Sequence, residues 1–425
     1  MKEWIKITLI LCAFGTLREI RPSEPFVTEF LLGEWRNITE NQLNQEVYPV
    51  GTYSYLAQLV VIFLITDFLR FKPVIIISGL SGISVYAVLL WTESLQWLQV
   101  SQFLYGMYMA TEVAYLTYIY AKVDSAKYAA VSSYTRVAAL TGRFLSGLSS
   151  QLLVHYELMD YRDLNYITFT AQILASFWAL WLPSVPYGIY FQLNAVTDVV
   201  HKNTPDDINI DKRSLSANMR EASSLIARHA RAAYSRRSVL AWSALYAAAL
   251  ALFVQAQTYV QLLWKHIQEE SHTPVSHTKY YILLIVVGAL LASYFARAAL
   301  PAPALALQGA AVFVATHVPN VFVSYAGYIV MGMLYHFTIT MASAKIASQL
   351  SNESCFGLIF GINTLLGTGL QSLLTAVLIQ SLRLPITSQY YAISALYILA
   401  ASTWLFGWLL TNVKQKKTIN INNQY

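Results

Sequence analysis

Apolar residues are gathered along the chain into long stretches, separated by shorter segments that contain most of the charged residues. A helix needs about 20 apolar residues to cross the hydrocarbon core of a membrane, and twelve stretches reach a spanning length. Six precede a long polar segment and six follow it, which predicts an all-α membrane protein with twelve transmembrane helices in two six-helix halves. The predicted spans are 4–20, 50–69, 73–92, 96–122, 130–154, 164–184, 238–264, 279–298, 300–317, 320–347, 354–382 and 387–412.

The composition supports a membrane protein and excludes several other classes. Hydrophobic residues make up 56% of the 425 residues and charged residues only 12%, whereas a soluble domain has about 25% charged residues. A soluble enzyme, a disordered chain and a secreted disulfide-rich scaffold are therefore excluded. The sequence contains no helix-borne zinc motif, phosphate-binding loop or paired-cysteine motif, so we expect neither an enzyme nor a bound metal or cofactor.

The distribution of Lys and Arg predicts how the spans are oriented. With both termini inside, and with basic residues near the span ends counted with the adjoining segments, the inner segments contain 19 of the 28 basic residues, the outer segments 6 and the spans 3. Because basic residues concentrate in cytoplasmic loops, we expect a multi-pass protein of the plasma membrane with cytoplasmic termini, in contact with the lipid bilayer and not with nucleic acid. Asn37 begins a glycosylation sequon in the first outer loop, which agrees with this orientation.

The predicted domain organisation is an N-terminal half at 1–184, a cytoplasmic loop at 185–237, a C-terminal half at 238–412 and a cytoplasmic tail at 413–425. Two six-helix halves joined in this way are the organisation of major facilitator transporters, which bind substrate near the bilayer midplane between the halves. Within the loop, residues 214–237 could form a basic amphipathic helix on the inner membrane surface or a solvated linker.

Glu112 is the most informative ionisable residue because it lies in the middle of a predicted span, where a charge costs about 2.5–3.5 kcal/mol unless it faces a cavity or a partner. Three tyrosines share its helical face, so a carboxylate flanked by aromatic rings would suit a cationic aromatic ligand. The alternative is a structural pair with Arg136 or Arg143 of the next span. The three tyrosines are Tyr105, Tyr108 and Tyr115.

Three other sets of polar residues are candidates. Glu24 follows the proline-broken end of the first span, where it could face the cavity or the outer surface. Asp67 and Arg70 lie between spans two and three and resemble the gating loop of major facilitators, although ordinary inner-side charge would explain them as well. Polar residues of spans seven and ten could contact a substrate or form interhelical hydrogen bonds; these are Thr258, Gln261 and Tyr335.

Several segments together resemble the reduced folate carrier and thiamine transporter family, which has the major facilitator fold. The resemblance covers nearly all of the predicted spans, and it is denser in the first half of the chain than in the second. The matching segments are 21–28 (RPSEPFVT), 48–56 (YPVGTYSYL), 66–74 (TDFLRFKPV), 118–120 (YIY) and 360–364 (FGINT).

The resemblance also bears on the substrate, because members of this family divide by substrate charge. Folate is an anion and thiamine is a cation; the thiamine transporters have a glutamate in span four where folate carriers have an arginine, and the position here is Glu112. Two further basic positions of folate carriers match Gly332 and Gln371. The resemblance therefore implies a thiamine transporter in which Glu24, Glu112 and Tyr115 contact the substrate.

Three departures from the family pattern leave alternatives open. Gly51 stands where one thiamine transporter has a substrate-stacking tryptophan, Thr258 replaces a cavity asparagine, and Arg143 adds an unusual charge. A thiamine phosphate, another organic cation, and a carrier of reduced folate or other organic anions remain alternatives, as does a non-transporting ligand sensor on the same fold. Because a membrane-buried carboxylate such as Glu112 can exchange a proton, a proton is also a candidate coupling ion.

Overall fold

A computed structural model describes residues 3–36, 38–69, 71–123, 127–185, 215–271, 301–350 and 356–422. Within these ranges every regular element is a helix, as the apolar pattern predicted. Six of the helices are long and apolar enough to cross a membrane: Lys72–Trp91, Val137–His155, Arg237–Ser271, Val321–Ala347, Gly357–Ser381 and Ile386–Gly407.

Each predicted span in the described residues has a helix that begins within two residues of the span's start, which shows how strongly apolar runs and their polar ends determine these helix boundaries. The predicted span 279–298 lies outside the described residues. The helices are α1 (Glu3–Glu19), α2 (Val27–Leu32), α3 (Glu40–Gln42), α4 (Tyr48–Phe68), α5 (Lys72–Trp91), α6 (Leu95–Ala110), α7 (Glu112–Lys122), α8 (Tyr128–His155), α9 (Asp163–Leu180), α10 (Leu215–Tyr234), α11 (Arg237–Ser271), α12 (Pro301–His317), α13 (Val321–Ala347), α14 (Phe356–Leu374) and α15 (Ile386–Asn422).

The predicted span 96–122 is two helices, α6 and α7, with an interruption at Thr111. The Thr111 hydroxyl donates to the carbonyl oxygens of Met107 and Tyr108, both at 2.9 Å, and the Ala114 amide donates to the Thr111 carbonyl at 3.1 Å. This bond spans three residues instead of four, so the last turn tightens and a new helix starts. Glu112 is therefore the first residue of α7.

The chain forms two compact units, of which the first comprises Met1–Trp242 and Lys345–Thr368. In this unit α1 packs against α8 and α9, α4 packs against α6, and α5 packs against α6 and α9. Buried side chains of α1 meet α7 in its core, including Leu11, Phe14, Tyr115 and Tyr118. This packing brings the C-terminal end of α1 against the break between α6 and α7.

Two arginines from the loops before α3 and α9 bind the C-terminal end of α5, where helix carbonyls lack partners within the helix. Arg36 donates to the Leu89 carbonyl at 2.8 Å, and Arg162 donates to the Leu90 carbonyl at 3.2 Å. The Arg162 guanidinium also lies 3.5 Å from the centre of the Trp35 ring. Burial lowers the pKa of Arg36 to about 10, because removal from water disfavours the charged form.

Within the segment 214–237, for which the sequence left a helix and a linker open, the structure has the helix α10 at Leu215–Tyr234. The end of α10 packs inside the first unit: the Tyr234 hydroxyl donates to Asn363 Oδ1 at 2.7 Å. Ala233 joins a small apolar cluster with Val239, Ile346 and Ile359. The helix is therefore attached at its C-terminal end to other parts of the unit.

The second unit comprises Ser243–Ala344 and Gly369–Tyr425. Here α12 packs along α15, and the buried ring of Trp264 contacts the rings of Tyr325 and Tyr328 edge to face. The Trp264 indole donates to Ser324 Oγ at 3.1 Å. Aromatic packing with a satisfied indole N–H thus fixes the core of this unit.

Candidate functional site

A cluster of charged side chains lies buried in the first unit, where α1 ends, and its centre is Glu19. This carboxylate is 3% exposed and accepts hydrogen bonds from three guanidinium groups. Arg18 donates at 3.3 Å, Arg21 at 2.8 Å and Arg143 at 2.7 Å. A buried carboxylate is costly unless it is paired and hydrogen-bonded, and Glu19 meets both conditions.

Arg18 connects this centre to Glu112. Its guanidinium lies 3.5 Å from Glu112 Oε2, donates to the Tyr108 carbonyl at 3.0 Å and stacks over the Tyr108 ring at 4.3 Å. The Tyr108 hydroxyl in turn donates to the Arg18 carbonyl at 2.9 Å. These contacts hold the Arg18 side chain of α1 against the break after α6. The Glu112 side chain stays 29% exposed.

Arg21 connects the centre to Glu24. Its guanidinium donates to Glu24 Oε1 at 2.8 Å, and the Tyr105 hydroxyl donates to the same oxygen at 3.0 Å. The Glu24 side chain remains 41% exposed. The two carboxylates of the sequence hypothesis, Glu24 and Glu112, are therefore the exposed ends of one network whose centre is buried.

A glycine allows α8 to supply the third arginine. A Cβ atom at Gly142 would lie only 2.5 Å from the Thr16 carbonyl oxygen and 3.0 Å from Glu19 Cβ. The absence of a side chain there lets α8 approach α1 closely, so that the neighbouring residue Arg143 reaches Glu19. The Arg21 amide also donates to Ser146 Oγ at 3.0 Å, one helical turn further along α8.

The network contains three guanidinium groups and three carboxylates, so its formal charge is zero. Each arginine touches at least one carboxylate, at distances of 2.7–3.5 Å. Opposite charges at such distances compensate much of the cost of burial. Glu112 also begins α7, and the N-terminus of a helix favours negative charge. The site therefore presents carboxylates without an excess of positive charge around them.

Of the three tyrosines predicted on the face of Glu112, two contact the charged network and one packs against α1. Tyr105 and Tyr108 stack at 6.1 Å between ring centres and contact Glu24 and Arg18 respectively. Tyr115 is 6% exposed, and its hydroxyl donates to the Leu11 carbonyl at 3.1 Å. Of the three carboxylates in the network, Glu24 and Glu112 are partly exposed and Glu19 is buried.

Three candidates belong to the second unit. The Thr258 hydroxyl donates to the Val254 carbonyl at 2.8 Å, within its own helix. Tyr335 stacks face to face on Phe253 at 3.8 Å. Gln261 lies in α11, one turn after Thr258, and is partly buried.

The remaining candidates lie elsewhere in the chain. Arg136 falls in the helix α8, as predicted, whereas Asp67, which was assigned to the loop between spans two and three, falls in the last turn of α4. Arg70 and Asn37 lie outside the described residues. Gly51 lies against the side chain of Gln102, whose Oε1 would be 2.7 Å from a Cβ atom there.

The sequence hypothesis missed the role of Glu19. The run from Arg18 to Glu24 contains four charged residues directly after an apolar span, and such a run needs partners if the chain buries it. This requirement for partners was the signal in the sequence that pointed to a buried charged cluster. The identity of the partner could not be read from it, because Arg143 is 124 positions away along the chain.

The helices of the described residues define the fold class of the protein, which is the major facilitator fold. A solved xylose transporter from E. coli, in an inward open conformation, has a TM-score of 0.63 to this chain at 11% identity, covering 94% of this chain and 95% of its own. At this identity the likeness concerns the fold alone.

The chain belongs to the reduced folate carrier family, whose model matches residues 2–392. Thiamine transporter 1 of Homo sapiens is 32% identical, covering 97% of this chain and 91% of the relative. Folate transporter 1 of Caenorhabditis elegans is 31% identical, covering 96% and 93%. The family resemblance seen in the sequence is thus confirmed. The chain is about equally similar to a thiamine transporter and to a folate transporter, so sequence identity does not distinguish the two substrates and the site has to do so.

Proposed function

We propose that this protein carries thiamine across the plasma membrane by alternating access, with both termini in the cytoplasm. The observation that carries the proposal is the partly exposed carboxylate of Glu112, which begins α7 beside a network without net charge. Thiamine is a permanent cation, and a carboxylate at this position would balance its charge. Glu24, 41% exposed, would supply a second acceptor.

The electrostatics of the site favour a cation over folate. Folate carries negative charge and needs guanidinium or ammonium groups that are free to bind it. In this site Arg18 and Arg21 are buried, and each is bonded to Glu19 and to a second carboxylate. Displacing either arginine toward a ligand would break its ion pair with the buried Glu19 and its ion pair with a second carboxylate, and breaking a buried ion pair is costly.

A proton is the coupling ion that fits this site best. The Glu112 carboxylate is partly exposed, so a proton and a cationic substrate would compete for it. If the carrier reorients only when this carboxylate is occupied, the competition would couple the entry of thiamine to the exit of a proton. An inward thiamine flux that rises when the opposite compartment is acidified would support this coupling.

The folate alternative rests on one observation, which is the guanidinium of Arg143. Its side chain is 45% exposed, so it is the most accessible cation of the network. A folate carrier would need this arginine as its principal anion contact. The sensor alternative would keep the same site and bind a ligand without flux.

Counterflow in proteoliposomes tests the proposal against both alternatives. Purified protein is reconstituted with unlabelled thiamine inside the vesicles, and entry of labelled thiamine or labelled folate is followed. Thiamine accumulation that requires internal thiamine supports a carrier with alternating access. Accumulation of folate alone would replace thiamine with folate as the substrate, and saturable binding without accumulation would indicate a sensor.

A further inference from the structure

The Arg143 guanidinium binds Glu19 through Nε, and the rest of the group is available to a ligand. Its Nε donates to Glu19 Oε2 at 2.7 Å, whereas its terminal amino groups contact no acceptor among the residues that the structure describes. The side chain is 45% exposed. A guanidinium facing lipid tails is costly, so charged groups within spans face the protein interior or a water-filled cavity. The open end of Arg143 therefore faces water or a ligand.

The position of this guanidinium is fixed before any ligand arrives. The close approach of α8 to α1 at Gly142 sets the backbone, and the bond to Glu19 sets the side chain. Glu19 is itself held by Arg18 and Arg21. An arginine oriented in advance loses little conformational freedom when it binds an anion, and its remaining N–H groups match the geometry of carboxylate and phosphate.

A chain of ion pairs connects the Arg143 guanidinium to Glu112, the carboxylate that would bind the cation in the proposed function. Glu112 contacts Arg18 at 3.5 Å, Arg18 contacts Glu19 at 3.3 Å, and Glu19 contacts Arg143 at 2.7 Å. The two middle residues are each 3% exposed, whereas Glu112 and Arg143 are 29% and 45% exposed. One buried ion pair thus separates an accessible negative group from an accessible positive group.

We propose that Arg143 forms an anion subsite, positioned by Glu19, for an organic cation that also carries a phosphate or carboxylate group. The cationic end of such a ligand would bind at Glu112 and its anionic end at Arg143. The inference rests on the proposed function for the cationic end. It adds that the accepted substrates include zwitterionic forms of the cation as well as the cation itself.

A purely structural role for Arg143 makes a different prediction. If the arginine only neutralises Glu19, its removal disturbs the whole network and weakens every ligand alike. If it binds the anionic group, its removal weakens only the ligands that carry that group. A comparison of ligands that differ in one substituent separates the two roles.

The test measures binding to the purified full-length protein and to the Arg143→Gln variant. The ligands are thiamine, thiamine monophosphate, and the thiamine analogue in which a carboxymethyl group replaces the hydroxyethyl group. The control variant is Arg228→Gln, which changes an exposed arginine of α10. We expect Arg143→Gln to weaken the monophosphate or the carboxylate analogue, or both, by about tenfold and to leave thiamine within about twofold of wild type.

The pattern across ligands identifies the anionic group. Weakening of the monophosphate alone assigns a phosphate to the subsite, and weakening of the carboxymethyl analogue alone assigns a carboxylate. Equal weakening of all three ligands, or of none, would overturn the subsite. If Arg143→Gln does not fold, Arg143→Lys keeps the charge but replaces the planar guanidinium, whose separate N–H groups would contact Glu19 and the ligand, with a single ammonium group, so it should show the same selectivity at about threefold.

The outcomes for wild-type protein keep the two proposals apart. Thiamine counterflow with no selective effect of Arg143→Gln defeats the subsite only. Absence of thiamine counterflow, together with monophosphate binding that depends on Arg143, defeats the proposed function only. Wild-type protein that binds none of the three ligands contradicts both.

Discussion

Arg18 and Glu112 lie 3.5 Å apart, and this contact connects a buried ion-pair network to the break between α6 and α7. Arg18 does not depend on Glu112 alone, because it also binds Glu19, the Tyr108 carbonyl and the Tyr108 ring. A cationic substrate could therefore take over Glu112 without leaving Arg18 unpaired. The contact with Arg18 thus orients the Glu112 carboxylate, which stays exposed enough to bind a cation.

Glu19 should be the residue on which the stability of this region depends most. Glu19→Gln would deprive three guanidinium groups of a shared carboxylate, and loss of one partner from a buried ion pair costs about 3–5 kcal/mol. We expect a large fall in the thermal unfolding temperature of the detergent-purified protein. Glu112→Gln serves as the matched control, since Arg18 keeps Glu19, and its unfolding temperature should change far less. Equal shifts for the two variants would contradict the central position of Glu19.

The hydrogen bond from Tyr105 should orient the Glu24 carboxylate for contact with thiamine. Tyr105→Phe removes the 3.0 Å hydrogen bond to Glu24 Oε1 and leaves the ring stacked on Tyr108. A hydrogen bond to a charged group is worth about 1.5–3 kcal/mol, so we expect thiamine affinity to fall by about tenfold if Glu24 contacts the substrate. The measurement is concentration-dependent thiamine uptake, with Tyr166→Phe, at an exposed tyrosine of α9, as the control. Unchanged affinity in Tyr105→Phe would remove Glu24 from the site.

Gly142 should tolerate no side chain. In Gly142→Ala the added methyl group would meet the Thr16 carbonyl oxygen at 2.5 Å, so α8 has to move away from α1 at a cost of about 1–3 kcal/mol. Gly357→Ala is the matched control, because the nearest atom to its methyl group would be Thr117 Cγ2 at an ordinary 3.5 Å. Thermal unfolding should distinguish the two variants. A Gly142→Ala protein as stable as Gly357→Ala would refute the close packing of α1 and α8.

The sequence predicted the helices well because membrane insertion imposes one requirement, a long apolar run, that is local in the chain. The start of α1 and the start of α9 both follow from it. The interruption at Thr111 could not be predicted in this way, since apolar residues continue through 96–122 and the break appears only in the backbone hydrogen bond from the Ala114 amide to the Thr111 carbonyl. The hydropathy pattern therefore predicts one continuous span and does not show the break that makes Glu112 the first residue of α7.

The candidate site was predictable only in part, and for a similar reason. Glu112 stood out because a carboxylate in an apolar helix is rare and costly. Glu19 did not stand out, because it lies at a helix end, where charge is unremarkable. Its importance comes from Arg143 on α8, and pairing over such a distance along the chain depends on the packing of α1 against α8. Long-range pairing of this kind is a property of the fold.

The most direct test of the central claim is thiamine uptake by cells that express the wild-type protein or Glu112→Gln. Uptake is divided by the amount of protein at the cell surface, and labelled folate is measured in parallel. We predict saturable thiamine uptake by wild-type protein, little folate uptake, and a loss of thiamine uptake of at least about tenfold in Glu112→Gln at equal surface level, since the substrate cation loses its counter-charge. Thiamine uptake by Glu112→Gln at the wild-type rate would contradict the account.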